Sequence, residues 1–280
     1  MRRRPQRSRR KLTGAITGGD GGTMTFPRTF AHLEAYAAAL VLARQGVPLG
    51  DPLADARGPT FVRESRDNGF MRLYLSSYQL GDHPEAFTGL VRGSGRGWVI
   101  MNAFDGADPE MRSLETERQV MNLAGVGLAA RELDLRAHDA ESLSVKFGQP
   151  DFLWVRGGNV FTLRAALARS GADALIADRL RADELVYAGF SAGVCVLAPS
   201  LLGLEECDST EDALSMYGAV EFDGLSILDR PFVPHLGSPE HPESEALTRV
   251  AAAYAQEGKP YWALRDGQAL VVDGSSVVLL

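Results

Sequence analysis

Cysteine is scarce in this chain. Only Cys195 and Cys207 occur in 280 residues, and they share no C-x-x-C spacing. That excludes a disulfide framework and a thiolate metal cluster, and it leads us to expect reduced thiols in a cytoplasmic protein. Long hydrophobic runs are also missing, since none reaches the roughly 18 residues of a membrane span. The basic start MRRRPQRSRRK leads into no long apolar core, so we read no secretory signal and expect no membrane partner. There is no P-loop. Gly93-Ser94-Gly95-Arg96-Gly97 is rich in glycine but is not a GxGxxG, and it reads as a connection. His235, Glu240 and His241 match no common zinc spacing, so neither a metal nor a cofactor is expected.

What is present is an ordinary globular composition, 45% hydrophobic and 23% charged, enough for one sizeable α/β core. The net charge of −7 is unevenly spread. Residues 1–70 carry 12 Lys/Arg against 6 Asp/Glu, out of chain totals of 29 and 36, so residues 71–280 form an acidic body. A nucleic-acid partner needs a basic surface, so none is expected. Residues 1–70 combine a basic cluster, a patch Gly18–Gly22, a helix candidate at Thr29–Gln45 and a Gly/Pro-rich linker. They read as a disordered or non-native N-terminal extension. The working domain is expected to start near Met71, where MRLYLSSY opens the first convincing strand, and to be a single α/β domain over 71–280.

From Met71 on, strand-like and helix-like stretches alternate. The strands are read at Arg72–Ser76, Trp98–Ala103, Glu132–Leu135, Phe152–Arg156, Leu185–Ala188, Phe232–Val233 and Tyr261–Leu264, with a closing β-hairpin around Asp273-Gly274. The helices are read at Pro109–Leu128, Val160–Ala168, Ala172–Arg181, Ala192–Leu197 and Pro242–Gln256. In the first of these, Met111, Leu114, Val120, Leu123 and Val126 mark the apolar face. Such alternation builds a mainly parallel sheet with helices on both faces, and its ligand site lies at the carboxyl ends of the strands. An apolar helix face suits a homodimer.

The segment Glu184–Leu197, ELVYAGFSAGVCVL, sets Gly189-Phe190-Ser191-Ala192-Gly193 between a strand and a helix start. That context makes Ser191 a candidate nucleophile on a sharp turn whose neighbours must be small. The N–H groups at the helix start can stabilise an oxyanion. A base must come from the five histidines. His235 suits best, because it follows a short apolar strand and is braced by Pro234; His83 and His241 stand behind it, and His32 lies in the extension. The orienting carboxylate is sought in Gly203–Asp212, which offers several. Gly157-Gly158-Asn159 ends another strand before a helix. Its glycines allow a tight turn that points an N–H into the site, and Asn159 can cap the helix or donate its amide to a substrate.

Gly157-Gly158-Asn159-Val160-Phe161, Gly189–Gly193 and Pro234-His235, in this order, resemble the serine peptidase family of dipeptidase E (aspartyl dipeptidase) and cyanophycinase. The resemblance covers roughly Met71 to Leu280. It implies a flavodoxin-like sheet of the class I glutamine amidotransferase type, with Ser191 as nucleophile, His235 as general base, and Gly158 and Ala192 as oxyanion donors. It places the triad acid at Asp208, with Glu206 and Glu205 as alternatives. Arg156 and Arg265 are candidates for a substrate carboxylate. The implied activity is serine-type exopeptidase cleavage of small peptides without a cofactor. The alternatives are an α/β-hydrolase-type esterase, which shares the elbow and the Ser–acid–His order, and a non-catalytic relative that binds a ligand in the same pocket.

Overall fold

The computed structural model describes residues 60–62 and 70–280. The chain divides into two units at Gly46–Val47, and every described residue belongs to the second. The helix read at Thr29–Gln45, the glycine patch and His32 lie outside the described residues.

Strand β1 (Thr60–Val62) is followed by β2 (Arg72–Ser76), α1 (Pro84–Leu90), β3 (Arg96–Ile100) and α2 (Pro109–Gly125). Next come β4 (Ala129–Glu132), α3 (Ala140–Phe147), β5 (Phe152–Val155), α4 (Val160–Ser170) and α5 (Ala172–Arg181). Then β6 (Val186–Phe190) leads to the short α6 (Ala192–Cys195), α7 (Thr210–Tyr217), β7 (Phe232–Val233) and α8 (Ser244–Gln256). The chain closes with β8 (Trp262–Ala263), β9 (Ala269–Asp273) and β10 (Ser276–Leu279). The main sheet has eight strands in the order β1-β10-β9-β2-β6-β5-β3-β4, and β7 and β8 form a separate parallel pair. Strands β2, β6, β5, β3 and β4 run parallel, and β9, β10 and β1 join antiparallel at one edge. This is the expected mainly parallel α/β sheet with a C-terminal hairpin. The hairpin turns at Gly274-Ser275, one residue later than read, because Asp273 still pairs with Ser276. Strand β1 lies upstream of Met71, within the stretch read as an extension, and pairs with β10.

The central strands are buried on both faces, which is why they read as apolar runs rather than alternating ones. Side chains alternate across the sheet, so each strand feeds two cores. Leu73, Leu75, Leu153, Val155 and Tyr187 enter one core with α3, α4, α5 and α8. Tyr74, Phe152, Trp154, Ala188 and Phe190 enter the other with Phe87 of α1 and Leu123 of α2. Phe87 stacks on Tyr74 at 5.4 Å and on Trp154 at 5.7 Å between ring centroids, a geometry that adds to the area buried.

Helix α2 buries only the second half of the apolar face its sequence suggests. Leu123 is buried and Val120 and Val126 pack on the core, but the first turns present polar residues inward. Met111 and Leu114 are 58% and 61% exposed, while Arg112, Gln119 and Leu123 are buried. The polar residues go in because partners meet them. Arg112 pairs with Asp105 at 3.0 Å and Glu132 at 2.7 Å, and Gln119 accepts from Trp154 Nε1 at 2.8 Å. Pairing of this kind offsets the cost of burying charge and amide groups. Helices α1, α3 and α7 were not read from the sequence. Each has seven or eight residues, too few for a helical period to stand out.

Candidate active site

Strand β6 ends at Phe190, and Ser191 follows with φ 51° and ψ −122°, a positive-φ turn that a serine rarely adopts. Such a conformation costs on the order of 1–3 kcal/mol and persists only where its surroundings impose it. The surroundings do so here through close backbone packing. A Cβ on Gly193 would lie 2.2 Å from the Val155 carbonyl oxygen, so only glycine lets α6 sit this near β5. The buried Tyr187 hydroxyl donates to the Gly193 carbonyl at 2.5 Å and props the turn from below. Ser191 is 9% exposed, and its side chain makes no capping bond to its own helix. The hydroxyl is thus held at the sheet end without an intrahelical role. Gly193→Ala is expected to lower stability by about 1–3 kcal/mol, a drop in Tm of roughly 2–10 °C, and to cost activity with it. A thermal melt unchanged from wild type would remove this account of the elbow.

His235 follows β7, and it too takes a positive φ, 57°. It is wholly buried. Its N–H donates to Ser77 Oγ at 2.9 Å, its carbonyl accepts from Ser244 Oγ at 2.9 Å, and Nδ1 lies 2.6 Å from Asp266 Oδ1. Nε2 is buried and has no partner. An ionised carboxylate only accepts, so Nδ1 carries the proton and Nε2 presents a lone pair. Burial pushes His235 down to about 4, although Asp266 pulls the other way, so the imidazole is neutral at pH 7. Ser77 ties this group to the elbow. It follows β2, whose Ser76 is in register with Phe190 of β6, and its hydroxyl also bonds Asp266 Oδ1 at 2.9 Å. Neighbouring strand ends therefore bring Ser191 and His235 to the same edge of the sheet.

The turn after β5 supplies the facing wall. Gly158 has φ 138°, and a Cβ there would lie 2.4 Å from the Ala103 carbonyl oxygen. In the backbone hydrogen bonds of the described residues, neither the Gly158 nor the Ala192 N–H is engaged. Of its two expected roles Asn159 takes the helix cap, and its amide does not face a substrate. Its Oδ1 caps α4 through the Thr162 N–H at 2.9 Å, and its Nδ2 donates to the Ser209 carbonyl at 2.7 Å. The amide is occupied in holding the loop before α7.

The carboxylate on His235 is not one of those expected. Asp208 accepts from the Val160 N–H at 2.8 Å, at the start of α4, and burial raises it to about 7. Glu205 accepts from the Gly203 N–H at 2.7 Å, and the exposed Glu206 faces Arg249 at 3.8 Å. The structure gives His235 Asp266 instead. Asp266 was not among the expected carboxylates, although it comes two residues after the strand expected at Tyr261–Leu264, as His235 comes two residues after Phe232–Val233. His83 is an exposed partner of Glu85 at 3.1 Å.

Arg156 is partly buried, with its guanidinium 3.9 Å from the centre of the Phe104 ring. It already has a carboxylate partner, Glu115, at 3.2 Å, and it donates to the Gly157 carbonyl. Burial lowers its pKa, with Glu115 opposing. The pair is close to neutral, which argues against Arg156 as a free anchor for a substrate carboxylate. Arg265 is exposed beside Gly237. His235, His241 and Asp266 bring potential metal-ligand atoms within 4.8 Å of one another. They do not form a metal site, because Nδ1 of His235 already faces Asp266 and the two imidazoles lie parallel, so their in-plane lone pairs do not converge. Among the described residues no helix is long and apolar enough to cross a membrane.

Residues 112–280 match the model of peptidase family S51. The chain belongs to that family. The S51 match spans Gly158, Ser191, His235 and Asp266. An uncharacterized peptidase of Listeria monocytogenes is 30% identical over 156 residues, covering 56% of this chain and 73% of that protein. Peptidase E of Streptomyces coelicolor is 28% identical over 157 residues, 54% of this chain and 61% of the other. A crystal structure from Listeria monocytogenes, described as a candidate peptidase E, superposes with a TM-score of 0.63 at 25% identity, over 75% of this chain and 98% of that one. A peptidase from an acI-B1 actinobacterium shares the fold, with a TM-score of 0.56 at 15% identity over 76% and 88%. This S51 member is a serine-type peptidase.

Proposed function

We propose that the chain is an exopeptidase for small peptides that works through Ser191, His235 and Asp266. The observation that carries this is a histidine whose only unpartnered polar atom is Nε2, set at the same sheet edge as a serine on a strained turn. Small-peptide specificity is carried over from the resemblance to dipeptidase E and from the Streptomyces coelicolor relative named peptidase E.

Ser191 Oγ attacks the scissile carbonyl as His235 Nε2 takes its proton, and the imidazolium then protonates the leaving amine. Water, activated by the same Nε2, cleaves the resulting ester and frees Ser191. Asp266 stabilises the imidazolium and holds its orientation. The N–H groups of Gly158 and Ala192 receive the oxyanion, a contribution worth about 10²–10³ in rate per donor. The base must be neutral to act. The acidic limb of kcat/KM is therefore set by His235, which burial holds near 4.

The test is a mixed library of dipeptides, tripeptides and longer peptides, with consumption read by mass spectrometry beside a Ser191→Ala control. Single residues released by the wild type alone support the reading. Internal cleavage of longer peptides, with dipeptides untouched, would replace it with an endopeptidase.

A further inference from the structure

One titratable side chain touches His235 without a part in the mechanism above. The His241 ring lies on the His235 ring with centroids 3.4 Å apart and planes 4° from parallel. Tyr78 meets both rings edge-on, at 6.0 Å and 5.5 Å. The same tyrosine packs edge-on against Phe190, the residue before Ser191, at 6.0 Å. His241 is itself fixed. Its backbone N–H donates to the Ser238 carbonyl at 2.9 Å, and its Nδ1 accepts from the Glu243 N–H at 3.3 Å. The loop that carries it returns to His235 through the hydroxyl of Ser244.

We propose that His241 is a positioning residue for His235, holding the plane of the general base and, when charged, opposing protonation of that base. This rests on the assignment of His235 made above. The physical case has two parts. Asp266 anchors His235 at one ring nitrogen, which leaves the ring plane to be set by what packs on its faces. His241 covers one face flush, and Tyr78 meets the ring edge-on. A misplacement on the order of an ångström at a reacting group costs about a hundredfold in rate. In addition, two imidazolium rings at this separation repel, so a charge on one disfavours a charge on the other. The other groups around the pair are Asp266 from the loop after β8, Tyr78 from the loop after β2, Glu240 beside His241, Glu243 at the start of α8, and the exposed Arg265. Asp266 favours the imidazolium and His241 disfavours it, and both effects act on His235 in those directions.

The test needs no known substrate. A serine-directed fluorophosphonate labels an activated serine, and its second-order rate as a function of pH reports the base. His241→Ala is expected to slow labelling about ten- to hundredfold at neutral pH. His241→Phe restores a flat ring, and is expected to recover most of that rate. It carries no charge, so its acidic limb should move to higher pH than in wild type. Labelling of His241→Ala at the wild-type rate with an unmoved limb overturns the proposal. Should His241→Ala fail to fold, an unmoved limb in His241→Phe overturns it alone. Labelling of His235→Ala at the wild-type rate would instead overturn the assignment of the base itself.

Discussion

Ser191→Ala is expected to abolish peptide hydrolysis, lowering kcat by about 10⁴–10⁶-fold, the range seen when a triad serine is removed. Stability should be nearly unchanged. The Ser191 side chain makes no capping bond, so removing its oxygen breaks no bond of the helix it precedes. The strain at φ 51° belongs to the backbone and stays in an alanine. The variant should therefore melt within about 2 °C of wild type, less than 1 kcal/mol for a domain of this size. Hydrolysis by the variant at more than a thousandth of the wild-type rate would mean that Ser191 is not the nucleophile.

The second large effect separates two carboxylates. Asp266→Asn is expected to lower kcat by about 10²–10⁴-fold, because a neutral amide neither compensates the imidazolium nor enforces the Nδ1 proton. Its acidic limb should also move to lower pH, since Asp266 is the group that raises His235. Asp208→Asn should change stability rather than turnover. In the folded protein Asp208 is raised from 3.8 to about 7 by burial, with the Val160 N–H opposing. The folded state thus favours the protonated carboxyl. That contribution is fully present below about pH 4 and is lost as pH rises through about 7. The asparagine variant should lose this slope in Tm between about pH 4 and 7, while keeping activity within about threefold of wild type. The opposite pattern, with Asp208→Asn inactive and Asp266→Asn active, would return the acid to the loop after the serine.

Much of the frame was legible in the chain. Strand β2 was read at its observed limits, and so was helix α5, because an apolar run bounded by turns and a clear helical period leave little choice. The elbow was legible because Gly189 and Gly193 do local work around Ser191. The second half of the inner face of α2, at Val120, Leu123 and Val126, was legible too, but its first turns were not. Nothing in the spacing of Met111 and Leu114 says that Arg112 will find Asp105 and Glu132 at the end of the sheet.

By itself the sequence determined the alternating α/β order, the strand end that carries Ser191, and His235 as the histidine after an apolar strand. These depend on residues adjacent in the chain. Only the tertiary structure decided which carboxylate and which aromatic neighbours His235 receives. Parallel pairing of β7 with β8 sets Phe232 opposite Trp262 and Val233 opposite Ala263. The residues beyond those strand ends, His235 and Asp266, then emerge side by side, and the Leu236 N–H bonds the Leu264 carbonyl to hold them there. Pairing of two short strands far apart in sequence leaves no mark in either one, so the partner of the base became visible only when the two were brought together.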